Sequence, residues 1–86
     1  MSPDAIHVIA LPGYWLAVTF VTGERRLFDM KPYLGFPAFE ALQDEDLFRA
    51  VRIVHGVVTW TDEIDLSPDT LYLKSAPSED TRRDTA

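Results

Sequence analysis

A chain of 86 residues that is 47% hydrophobic and 12% aromatic has room for one domain, since such chains bury only roughly 60% of the surface they expose when unfolded, and it is too rich in large side chains to be disordered. The net charge of -6 repels a phosphate backbone and argues against direct nucleic-acid binding, while the absence of cysteine removes disulfides, thiolate metal ligands and a cysteine nucleophile. No run of about 18 apolar residues occurs and Met1-Ser2-Pro3-Asp4 lacks signal-peptide character, so a soluble cytoplasmic protein without membrane contact is expected.

Ile6 to Leu11 reads as a short apolar strand, and Pro12-Gly13 as its exit turn. Tyr14 to Val21, rich in β-branched and aromatic side chains, is a second strand with Leu16, Val18 and Phe20 on one face and Trp15, Ala17, Thr19 and Val21 on the other. Thr22-Gly23 then joins it to a strand over Glu24 to Asp29. A two-residue loop sets Val18 opposite Leu27 and Ala17 opposite Phe28; a bulge at Gly23 slides the register and reverses the faces. The residues alone leave both open.

Pro32 ends that pairing, and Phe36 to Leu42 is expected to form a short helix with Pro37 in its first turn and Phe39 and Leu42 on its buried face. Asp44 is placed to cap a further helical turn through Phe48. Val51 to Val54 and Val57 to Trp60 form a second hairpin around His55-Gly56, with Val51, Ile53, Val58 and Trp60 on its core face. Ser67-Pro68-Asp69-Thr70 has the residues of a helix start, and Leu71 and Tyr72 fold back onto the sheet. From Ser75 onward no large apolar residue is present to offset the entropy of ordering. The organisation expected is a single α+β domain over residues 1–74 and a polar tail over 75–86, the domain having a small antiparallel sheet of two hairpins and an N-terminal strand with short helices packed on one face.

No catalytic constellation emerges. His7 sits in a strand and His55 in a turn, and no glycine-framed nucleophile accompanies them. Asp62, Glu63, Asp65 and Asp69 form the densest acidic cluster, but its spacing does not fit a calcium loop and turn capping explains it better. Arg25 and Arg26, with Lys31 and Arg49, make a local basic patch, yet no glycine-rich phosphate loop is present and solvated strand positions account for them. No metal or cofactor is expected. Tryptophan and tyrosine are the anchors that interfaces favour: Trp60 belongs to the core face, whereas Trp15, opposite Leu16, Val18 and Phe20, is the better candidate for exposure.

Leu16-Ala-Val-Thr-Phe-Val-Thr-Gly23 before Arg26 and Asp29, Phe39-Glu-Ala-Leu42 with Phe48, and Val58-Thr-Trp60 followed by Asp65-Leu-Ser-Pro-Asp-Thr-Leu-Tyr72 resemble, in this order, the bacterial family known as domain of unknown function 2442. Where many relatives have a glycine-containing turn after the tryptophan, this chain has Thr61-Asp62-Glu63-Ile64. The resemblance implies a small α+β fold, no established enzymatic activity, and an arrangement beside another small gene similar to toxin-antitoxin pairs. It also implies a helix-turn-helix addition in some members, which is not expected here, where a polar tail follows Tyr72.

These readings together lead to a non-enzymatic protein-interaction module, antitoxin-like, that uses an exposed sheet face or edge to bind a small protein. The acidic charge makes a basic, toxin-like partner the complementary one, and open sheet edges also allow a homodimer. The candidate contact residues are Trp15, Arg26, Asp29, Tyr33 and Asp65. The competing expectation is a sensor domain that binds a small ligand, with Asp29 and Asp65 as polar contacts.

Overall fold

Seven strands and four short helical segments occupy residues 3–77, the part of the chain that the computed structural model describes. In chain order they are β1 (Ala5–Leu11), β2 (Trp15–Phe20), β3 (Arg25–Asp29), 3₁₀ turns at Lys31–Tyr33 and Glu40–Gln43, α1 (Glu45–Arg49), β4 (Arg52–Val54), β5 (Val57–Thr61), β6 (Ile64–Leu66), α2 (Pro68–Lys74) and β7 (Ala76–Pro77). The expected α+β class with antiparallel hairpins is the observed one. Its strands divide between two sheets, one ordered β1-β2-β3-β7 and the other β4-β5-β6.

In the first sheet the alternation of β2 sends Leu16, Val18 and Phe20 into the core, each essentially inaccessible. The β2–β3 loop has three residues, Val21-Thr22-Gly23, closed by the Phe20 amide donating to the Glu24 carbonyl at 2.9 Å and the Gly23 amide donating to Phe20 at 2.8 Å. Gly23 has φ of +91°, a conformation open to glycine and strained for other residues. Of the two registers the sequence permits, the shifted one is adopted: Leu16 faces Phe28, Ala17 faces Leu27 and Val18 faces Arg26. Phe28 is thereby buried, and Arg26 is carried to the helix side of the sheet. A register shift between Ala5 and His7 leaves Ile6 as the extra residue of a bulge, and beyond it the Ala5 amide reaches the Gly56 carbonyl of the second sheet at 3.1 Å.

The helix expected over Phe36 to Leu42 is displaced. Residues 36–39 run as turns, and regular 3₁₀ structure begins at Glu40. Pro37 lacks a backbone donor, while Phe39 is held to Phe36 by a turn bond of 2.9 Å. Leu42 is buried and Phe39 half-buried. Asp44 caps α1 as expected, its Oδ1 accepting from the Asp46 amide at 3.0 Å.

The His55-Gly56 hairpin has the expected register, Ile53 facing Val58 and Val54 facing Val57. Both loop residues have positive φ, 53° and 80°, as the primed turns that suit strand twist require. β6 is absent from the sequence reading: Asp62-Glu63 is a second tight turn, and Ile64-Asp65-Leu66 pairs back on β5. Thr61 Oγ1 accepts from the Glu63 and Ile64 amides, each at 3.1 Å. Ser67 then caps α2, accepting from the Thr70 amide at 3.2 Å.

Leu16, Val18, Phe20 and Phe28 from the first sheet and Met30 just beyond it meet Val58, Trp60 and Leu66 from the second and Leu42, Phe48 and Leu71 from the helical segments in one core. Ser75, Ala76 and Pro77, assigned by composition to the tail, are tied back instead: Ala76 pairs with Leu27 and Pro77 with Arg26. The rest of that tail, residues 78–86, lies outside the described residues.

Candidate interaction surface

Side chains alternate across a strand, so burying Leu16, Val18, Phe20 and Phe28 commits the intervening residues of β1, β2 and β3 to the opposite face. Cross-strand pairing arranges them in three rows: His7, Thr19 and Arg25; Ile9, Ala17 and Leu27; Leu11, Trp15 and Asp29. The helices pack on the other side, where Leu71 and Phe48 enter the core. The middle row is apolar throughout and Ile9 is 48% exposed. Trp15 is half-buried, with the Lys31 ammonium 4.8 Å from its ring centroid.

Lys31 is fixed there by three contacts to two residues. Its Nζ lies 2.9 Å from Asp29 Oδ1 and donates to the Gly13 carbonyl at 3.1 Å, and its backbone amide donates to the same Asp29 oxygen at 3.0 Å. Trp15 and Asp29, two of the five candidate contact residues, are thus direct cross-strand partners on the face turned away from the helices.

The other three lie elsewhere. Arg26 is on the helix side, where its side chain pairs with Glu24, donates to Ser75 Oγ at 2.6 Å and to the Ser75 carbonyl at 3.0 Å, and lies 4.6 Å from the Tyr72 ring centroid. Tyr72 donates its hydroxyl to Glu24 at 2.8 Å. That bond and, after it, the Arg26 guanidinium hold the Glu24 carboxyl below its usual pKa, and the same bond raises Tyr72. Arg26 is therefore a clasp for the C-terminal end of α2 and not a free contact. Tyr33 belongs to an aromatic group, stacked on Phe28 at 5.4 Å and edge-on to Phe36 and Phe39. Asp65 is exposed on the second sheet, opposite Thr59.

A cavity of about 200 Å³ opens beside α1, lined by Ala10, Tyr14, Phe48 and Arg49 among others. Neither Asp29 nor Asp65 reaches it, so the two carboxylates weighed as ligand contacts do not converge there. Among the described residues no three histidines or carboxylates gather as a metal-binding group, and no helix is long and apolar enough to cross a membrane. Asp62 and Glu63 form the β5–β6 turn, and Asp69 stands in the first turn of α2.

Ile9, Leu27 and Arg25 also lie on this face and are not among the contact residues expected from sequence, where Arg25 is read only as part of a solvated basic patch. Their signal was present but masked: the bulge at Ile6 breaks the alternation of β1, and the side taken by Leu27 depends on the register at Gly23. In comparisons with known proteins, a family model described as a protein of unknown function, DUF2442, matches residues 5–77. No curated protein and no solved structure matches.

Proposed function

The chain belongs to the DUF2442 family of proteins of unknown function, and from that premise we propose that it is a non-enzymatic protein-interaction module that docks a partner on the outer face of its first sheet. The observation that carries this is the apolar row Ile9, Ala17 and Leu27 beside Trp15, on a face to which the core sends nothing. A flat apolar strip flanked by charge, with a tryptophan held in place by a lysine, has the composition of an interface centre.

In this reading the protein is the antitoxin-like member of a bacterial gene pair, and its partner is a small basic protein. The net charge of -6 accelerates encounter with such a partner, while the apolar row supplies the desolvated contact. Co-expression with the product of the adjacent gene tests it: the two proteins co-elute, and Ile9→Asp, which leaves the core untouched, weakens the complex by at least about tenfold. Separate elution of the wild-type pair, or a complex indifferent to Ile9→Asp, refutes the assignment.

A further inference from the structure

Resting on the reading of the outer face as a protein-docking surface, we propose that in the purified protein this face is covered by a second copy of the chain, packed face to face about a two-fold axis along the row Ile9, Ala17, Leu27. The pairing makes the face symmetric about that row. On β3, Arg25 and Asp29 lie two positions to either side of Leu27; on β2, Thr19 and Trp15 flank Ala17; on β1, His7 and Leu11 flank Ile9. A half-turn about the row reverses the strands and the facing direction together. Each of Ile9, Ala17 and Leu27 then meets its own counterpart, and Arg25 of each copy meets Asp29 of the other, twice.

Charge selects this axis over the alternative. A two-fold axis along the strands superposes β1 on β3 and matches Ile9 with Leu27 equally well, but it sets Arg25 against His7 and Asp29 against Leu11, so that neither meets an opposite charge across a desolvated contact. Residues meeting their own counterparts are the mark of an isologous interface. Stacked sheets lie about 10 Å apart, a gap that the long side chain of Arg25, exposed on β3, helps to bridge toward Asp29 of the second copy. That carboxylate would then stand between two cations, its own Lys31 at 2.9 Å and the incoming guanidinium.

The face is small. Strands about 4.8 Å apart and five residues long at about 3.4 Å per residue project an area on the order of 300 Å², well under the roughly 800 Å² per partner of a standard interface. The dimer is accordingly a weak, concentration-dependent one that a tighter partner displaces.

Sedimentation equilibrium on the full chain, from micromolar to near-millimolar concentration, tests the geometry. The wild type shows a monomer–dimer equilibrium, and Ala17→Arg abolishes it. Arg25→Asp and Asp29→Arg, which each oppose like charges twice, weaken self-association at least about tenfold. An equimolar mixture of those two variants pairs opposite charges at both positions and forms a heterodimer within about threefold of wild-type affinity. Melting curves establish that each variant is folded, and Ala17→Arg keeps the test independent of Asp29. A wild type that stays monomeric, a dimer insensitive to Ala17→Arg, or a mixture that associates no better than its components overturns the proposal. Because the protein is studied alone, a monomer that still binds the adjacent gene product through Ile9 ends the self-pairing and leaves the docking face standing.

Discussion

Trp60 shows how one residue couples the two halves of the molecule. The register of β5 against β6 shifts between Thr59 and Thr61, which makes Trp60 the extra residue of a bulge, a device that re-aims a side chain. Its indole is 2% exposed, stacks on Phe48 at 6.1 Å, and donates from Nε1 to the Phe48 carbonyl at 2.9 Å. This bond ties the last turn of α1 to the second sheet. Trp60→Phe keeps an aromatic ring but removes the donor, leaving a buried carbonyl unpaired at about 1–3 kcal/mol and a void where the indole was. For a chain of this size about 1 kcal/mol corresponds to roughly 4–8 °C, so thermal denaturation followed by circular dichroism should show a loss of about 10 °C or more. A melting point within a degree or two of wild type would mean that the bond contributes nothing.

At the level of elements, what was legible depended on how local the deciding contact is. The His55-Gly56 hairpin could be read because glycine suits the positive φ its turn requires and a single apolar face, Val51, Ile53, Val58 and Trp60, selects the register. The capped starts of α1 and α2 were equally local, each a side-chain oxygen meeting an amide two or three residues on. The register at Gly23 was not, because only packing of Phe28 beneath the helices separates the two solutions. β6 has three residues with an aspartate at the centre, too short and too polar for a propensity signal. β7 is held by Arg26 and Ser75, 49 positions apart. So Trp15 and Asp29 came together on a face set by the strong alternation of β2, while Arg26 went to a clasp no local pattern announces.

That clasp gives the α2–β7 end a pH signature. The Tyr72 hydroxyl and the Arg26 guanidinium lower the folded-state pKa of Glu24, so the stabilisation they confer is complete above the unfolded carboxylate pKa and is lost as pH falls through the folded value. Tyr72, raised by the same bond, contributes below the unfolded tyrosine pKa and loses its contribution as pH climbs through the folded one. Melting temperature followed against pH for the wild type and Glu24→Gln should show curves that converge on the acid side, where Glu24 is protonated, and separate toward neutrality. A constant offset at every pH would mean that the carboxylate charge has no part in the clasp.

For the molecule as a whole, the two sheets have one core and no independent reserve. The β4-β5-β6 sheet contributes Val58, Trp60 and Leu66 to the same buried cluster as Leu16, Val18, Phe20 and the helical side chains. Its strands are only three to five residues long, and a small sheet is stable only with its apolar face packed against something. The sheets are further joined by the Ala5 amide bonded to the Gly56 carbonyl. Unfolding either sheet exposes the apolar face of the other, so no partly folded form gains enough chain entropy to offset the surface it uncovers. The expected outcome is a single cooperative transition. Native-state hydrogen exchange resolves this directly: the most protected amides of β2 and of β5 should exchange with one common opening free energy, equal to that of global unfolding. Earlier opening of the β5 amides, by more than about 1 kcal/mol, would make the second sheet a separate folding unit.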